Sequence, residues 1–204
     1  ELEYIFTHAL TQEVAYESLL IQRRKLFHEK IAITIENLYE QKLEEYYEVL
    51  SYHYEKSGNS DKTLHYSVLA GEKSILNGAN QLAYEFFHKA LTITQEESLE
   101  VDPEIKFKIH FNLGMASYNA GGFEEGISEM REAHHICRQQ DMIENEKQCL
   151  YFQGLFLIPF PDTYDIEKYY KDLLDRAKKL KVTSIEGAVL GLLGCRYGCY
   201  GDLS

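Results

Sequence analysis

The stretch Phe107–Ala133, FKIHFNLGMASYNAGGFEEGISEMREA, places small and large residues at intervals that two packed helices explain. Gly114 follows Leu113 in mid-helix, where glycine costs ~1 kcal/mol against alanine. Its presence predicts a neighbouring helix too close for a side chain. Gly121 and Gly122 interrupt the pattern and predict the turn. Phe123 then opens a second helix, with Ile127, Met130 and Ala133 on one face and Glu124, Glu125, Glu129, Arg131 and Glu132 on the wet side. Ala133 is again small where helices must cross.

The order Leu113, Gly114, Tyr118 (one place later than usual), Gly121, Phe123, Gly126 (where Ala is usual), Met130 and Ala133 resembles the tetratricopeptide repeat, a helical hairpin of about 34 residues. The resemblance implies an all-α fold, a right-handed α-solenoid of such hairpins. In those arrays the first helix of each unit lines a concave groove. That register makes Lys108, Phe111, Met115, Tyr118 and Asn119 a candidate partner-binding surface, suited to a peptide with apolar anchors and a polar or acidic tag. The alternative is that Phe111 and Met115 pack against the next hairpin.

The chain has 204 residues, enough for one or two domains with a substantial core. It is 45% hydrophobic, with 13 Gly, 3 Pro and no Trp, the balance of a soluble chain of long helices. A formal net charge of −12 argues against general affinity for nucleic acid or anionic membrane, and favours basic partners. The longest apolar runs, Leu155–Phe160 and Ala188–Leu193, are far short of the ~20 residues that span a bilayer. With no signal peptide at Glu1, the expected location is cytoplasmic. There Cys137, Cys149, Cys195 and Cys199, which form no CxxC pair, read as reduced thiols. A start at Glu1 without Met, and an end at Ser204 just after a turn signal, suggest a piece of a longer protein.

Before the hairpin, Leu2–Phe6 reads as a short strand and His8–Leu20 as a helix burying Leu10, Val14, Tyr16 and Leu20. A longer helix, Gln22–Tyr39, carries Leu26, Phe27, Ile31, Ile35 and Leu38 at helical spacing, predicting those as its core face. The runs FTHALTQEVAYESLL, RRKLFHEKIA, LSYHYEKSG and LHYSVLAGEKS resemble the junction in bacterial signalling ATPases of the STAND class. In such proteins a winged-helix element closes the ATPase and leads into tetratricopeptide repeats. Many relatives carry a class III nucleotide cyclase or protein kinase domain further upstream. The resemblance covers roughly residues 4–93. It implies that residues 1–40 are the end of a winged helix with its connecting helix, and that 41–204 are a repeat domain truncated at the C-terminus.

The rest of the chain follows repeat arithmetic. Helices are expected at Tyr47–Ser57, at Asp61–Asn77 with Ala70 and Gly71 at the small positions, and from Asn80 through Ala83, Phe87 and Ala90. The acidic run Gln95–Glu104, with Pro103, is a linker or a helix start. Asn145–Ile158 should be helical until Pro159 and Pro161 stop it. Asp165–Leu180 resumes with Tyr169, Leu173, Leu174 and Ala177. The insert FLIPFPDTY lies between them, long enough to cap a groove or face a partner. From Ser184, glycines at 187, 191, 194, 198 and 201 line one helical face. An apolar face left open there predicts self-association.

No stretch assembles catalysis. A phosphate-binding loop needs GxxxxGK[ST]; Gly71-Glu72-Lys73-Ser74 imitates only its tail, inside a helical pattern. His134, His135 and Cys137 could ligate metal, but a zinc site needs about four ligands and no second cluster has matching spacing. Arg23, Arg24, Lys25 and Lys30 form the one basic cluster, read as a solvated face or a contact with a missing domain. Glu44, Glu45 and Glu48 read as surface charge. No catalytic, cofactor or metal residue is therefore assigned. The function expected from the resemblance is a non-catalytic protein-interaction and regulatory module. The alternative is a helical-repeat sensor that encloses a small molecule.

Overall fold

The computed structural model describes residues 14, 16–96, 99–156 and 166–181, except the side chains of 96, 154–156 and 166–170. The expected N-terminal strand, most of the helix that follows it, the FLIPFPDTY insert and the glycine-lined helix lie outside these residues. The described residues are all-α and contain no strand. In order come α1 (Ile21–Leu38), a 3-10 segment (Glu40–Tyr46), α2 (Tyr47–Ser57), α3 (Ser60–Leu76), α4 (Asn80–Glu96), α5 (Pro103–Asn119), α6 (Phe123–Gln139), α7 (Ile143–Phe156) and α8 (Ile166–Lys179). Each helix packs on its neighbour in the chain, and α3 also touches α5.

The hairpin read from Phe107–Ala133 forms as α5 and α6. Asp102 caps α5 by accepting the Glu104 N–H at 2.7 Å, and Pro103 takes the first position, where no N–H is needed. At the turn Gly121 has φ +95°, a left-handed backbone that favours glycine. The two helices then cross backbone to backbone. A Cβ on Gly114 would lie 3.0 Å from the Gly126 carbonyl oxygen and 3.1 Å from the Met130 nitrogen. A Cβ on Gly126 would lie 2.9 Å from the Gly114 oxygen.

The α3–α4 hairpin uses the same positions differently. Gly71 faces the Phe87 ring, whose nearest carbons would be 2.7 Å from an added Cβ. One crossing is thus closed by two glycines and the other by a glycine and a buried aromatic. Ala83 and Ala90 line the second, and Ala70 beside Gly71 is likewise without exposed surface. The core is three clusters along the chain: Ala32, Leu50, Tyr54 and Tyr66 at α1–α3; Leu64, Val68, Phe87, Ile109 and Leu113 among those at α3–α5; and Phe107, Phe111, Met130, Leu150 and Leu173 among those at α5–α8.

Carboxylates tie helices together within the two outer clusters. Glu36 of α1 accepts hydrogen bonds from Tyr54 Oη (2.7 Å), Tyr66 Oη (2.5 Å) and Lys62 Nζ (2.8 Å). Glu146 of α7, almost wholly buried, takes both Nε and Nη2 of Arg176 from α8, at 2.6 and 2.7 Å. His134 Nε2 of α6 reaches the same carboxylate at 3.2 Å.

The α1 expectation is corrected. Of its five expected core residues, Ile35 packs against the α1–α3 cluster, while Leu26, Phe27, Ile31 and Leu38 are exposed; the fully buried positions are His28 and Ala32. Apolar residues occur on several sides of this helix, so periodicity alone did not select one. The face that docks carries Ala32, which permits close approach to α2, and Glu36, held by Tyr54 and Tyr66. Val14 and Leu20 are likewise exposed, and Tyr16 sits at the surface with its Oη 3.1 Å from His28 Nε2. On α6, Glu125 and Glu129 are half-buried because Tyr84 and His110 bond to them.

Candidate functional site: a groove between alternate helices

Because α3 and α5 flank α4 on the same side and touch each other, a concavity of about 480 Å3 opens between them. Its floor is apolar. Leu64 and Val68 come from α3 and Val101 from the segment before α5; all three are buried. Leu69, Leu99 and Ile105 widen it. Along α3, Asp61, His65, Val68 and Glu72 fall three and four residues apart, so one helical face supplies both floor and rim. Capping by Asp102 and Pro103 starts α5 at the rim and sets Ile105 and Lys108 one turn apart inside it.

The rim is acidic. Asp61, Glu72, Glu100 and Asp102 surround the opening, against Lys108 and His65. Lys108 Nζ is 3.1 Å from Glu72 Oε1, which occupies its charge. The pKa of His65 is lowered, by burial first and then by Lys62, which keeps the ring neutral at pH 7. Among the described residues no ion pair holds Asp61, Glu100 or Asp102.

Of the five residues assigned to the groove from sequence, Lys108 lines this one. Phe111 is buried in the α5–α8 cluster, its ring 5.2 Å from Phe107 and 5.3 Å from Phe152. Met115 packs against the same cluster. Tyr118 is half-buried, edge-on to Phe123 at 5.0 Å. Asn119 is exposed at the end of α5. Sequence reading missed Asp61, Leu64, His65 and Val68. Their stripe on α3 was the available signal, once α3 is aligned with α5 through Gly71 and Gly114.

Other candidate groups resolve into local structure. His134 serves Glu146, and Cys137 is a buried free thiol packed with Cys149. The neighbouring Cys137, together with burial, pushes the Cys149 thiol far up, so it stays protonated. Among the described residues no group of three His, Cys, Asp or Glu side chains is placed to hold a metal ion. Arg24 is bound by the Glu17 carboxylate and the Leu19 carbonyl. Lys73, from the Gly71-Glu72-Lys73-Ser74 run inside α3, donates to the Glu44 carbonyl and to Glu48. No helix among the described residues is long and apolar enough to cross a membrane.

No family model matches this chain, and no curated protein matches it.

Proposed function

We propose that this chain is a protein-interaction and regulatory module, without catalysis of its own, built as a right-handed solenoid of tetratricopeptide-like hairpins. The observation that carries the reading is the groove between α3 and α5, formed by equivalent helices of consecutive hairpins and floored by apolar side chains. Stacked hairpins bury a continuous core between neighbours and present such surfaces repeatedly. The three core clusters in succession along the helices and the small residues at both crossings support that architecture.

The junction-like runs within residues 4–93 extend the proposal. They make the module the cytoplasmic arm of a bacterial STAND-class signalling ATPase, following a winged-helix element. A partner that binds one curvature of the stack better than another shifts that equilibrium by its differential affinity. Isothermal titration of this chain against the ATPase and output domains of its parent protein tests whether that partner is intramolecular. Absence of binding at every concentration removes the intramolecular version.

A second reading has one observation in its favour. A volume of about 480 Å3 with an apolar floor falls within the size of small-molecule sites. A sensor would show saturable binding of a small ligand that competes with peptide; peptide binding unaffected by small molecules returns the assignment to protein recognition.

A further inference from the structure

We infer that the α3–α5 groove takes a cationic amphipathic segment of a partner protein, in which aliphatic side chains alternate with Arg or Lys. The inference rests on the interaction reading above and names the partner's chemistry. The floor made by Leu64, Val68 and Val101 is closed to water beneath and open above, so it removes aliphatic surface from solvent on contact. What surrounds it decides the charge. Asp61, Glu100 and Asp102 stand at the opening without a cationic side chain among the described residues, and Asp102 uses one oxygen on the Glu104 N–H.

The one lysine at the site does not reverse this. Its ammonium lies 3.1 Å from Glu72, so its charge is already balanced, and an anionic partner reaching it would bring its own charge against Glu72 and three further carboxylates. A cationic partner leaves the Lys108–Glu72 pair intact and meets the free carboxylates. The chain's net charge of −12 adds a field of the same sign, which draws cations toward the cleft from a distance. Lys108 then acts as a fixed internal counter-ion that positions Glu72.

The test uses the full chain and two fluorescein-labelled nonapeptides, one alternating Leu with Arg and the other Leu with Glu, followed by anisotropy. The Arg peptide is expected to bind, and to weaken as salt rises from 50 to 300 mM. Asp61→Asn with Glu100→Gln should weaken it by about two- to fivefold per charge removed. Lys108→Gln, which frees Glu72, should tighten it by about the same factor. Ile105→Arg, at a partly exposed position on the groove wall, should abolish binding with the helical content unchanged.

Preferential binding of the Glu peptide, lost in Lys108→Gln, would overturn the inference and leave the interaction reading standing. Arg-peptide binding that ignores Ile105→Arg and the Asp61/Glu100 pair also overturns it, because the segment then docks elsewhere. Failure of both peptides to bind overturns the inference, and the titration against the domains of the parent protein decides the interaction reading separately.

Discussion

Replacing Gly126 with alanine separates what the repeat pattern suggests from what the helix crossing permits. Alanine is the usual residue at this place in the repeat that the chain resembles, and it raises helix propensity by up to ~1 kcal/mol. Here, however, the new Cβ would lie 2.9 Å from the Gly114 oxygen, 3.0 Å from the Tyr118 nitrogen and 3.1 Å from Tyr118 Cβ. Two of those three atoms are backbone of α5, which cannot rotate away as a side-chain end can. α5 and α6 must separate by several tenths of an ångström along a seam where Met130 and Ala133 are fully buried. Overpacking of this kind costs ~1–3 kcal/mol. The gain in propensity is reduced because Gly126 lies in the first turn of α6. The expected net loss is ~1–2 kcal/mol, a drop of about 2–8 °C in melting temperature for a chain of this size. Gly114→Ala removes the same close approach from the other side, so the double variant should lose less than the sum of the singles. Urea denaturation followed by circular dichroism measures all three. An unchanged or raised midpoint for Gly126→Ala, at unchanged slope, would refute the claim that the two backbones are in contact.

At the other crossing, Gly71→Ala should destabilise, and Phe87→Leu in the same chain should recover part of the loss, since the overlap is with the Phe87 ring; thermal melts of the three variants decide it. Phe87→Ala alone, at a position with no exposed surface, should cost ~3–5 kcal/mol. Stability should also fall with pH in two stages. Burial lowers the pKa values of His28, His53 and His134, so their neutral forms stabilise the fold above about pH 6.5, and that contribution is lost as pH falls below it. Glu36 and Glu146 are opposed by burial but carried below the usual carboxylate value by Lys62, Tyr66 and Tyr54 in one case and by Arg176 and His134 in the other. Their contribution is present above about pH 4.3 and lost as pH falls further. Urea midpoints between pH 8 and 3 should show both steps, and His53→Gln should shrink the upper one. Glu146→Gln at pH 7 should cost ~2–4 kcal/mol, at the lower end because Arg176 can turn its charge to water; a loss below ~0.5 kcal/mol would remove the carboxylate as a tie.

The hairpin α5–α6 was legible because its information is local. Gly114 and Gly126 are expensive in helices unless something lies against them, and Gly121 permits the turn that brings it there. The α3–α4 hairpin was legible for the same reason, through Gly71, Ala83 and Ala90. α1 was not. Leu26, Phe27, Ile31 and Leu38 offer a plausible apolar stripe, yet the buried side carries His28 and Ala32, and its strongest anchor is Glu36. A charged residue that is stabilised only by two tyrosines and a lysine from other helices gives no signal along its own helix. Glu146 is hidden in the same way: its partners, His134 and Arg176, lie 12 and 30 positions away in sequence.

The groove shows the limit from the opposite direction. Helical register placed Lys108 on the α5 surface that faces α3, and its positive charge suggested an acidic partner. The charge of a site depends on what the cation is already bonded to, and Glu72 comes from a helix that begins more than forty residues earlier in the chain. With Lys108 engaged there, the free charges at the opening are carboxylates. Register can place a lysine at a groove, but the sign of the groove is set by the neighbouring helix. In a stack of hairpins every groove is shared between two repeats, so its chemistry belongs to neither repeat alone.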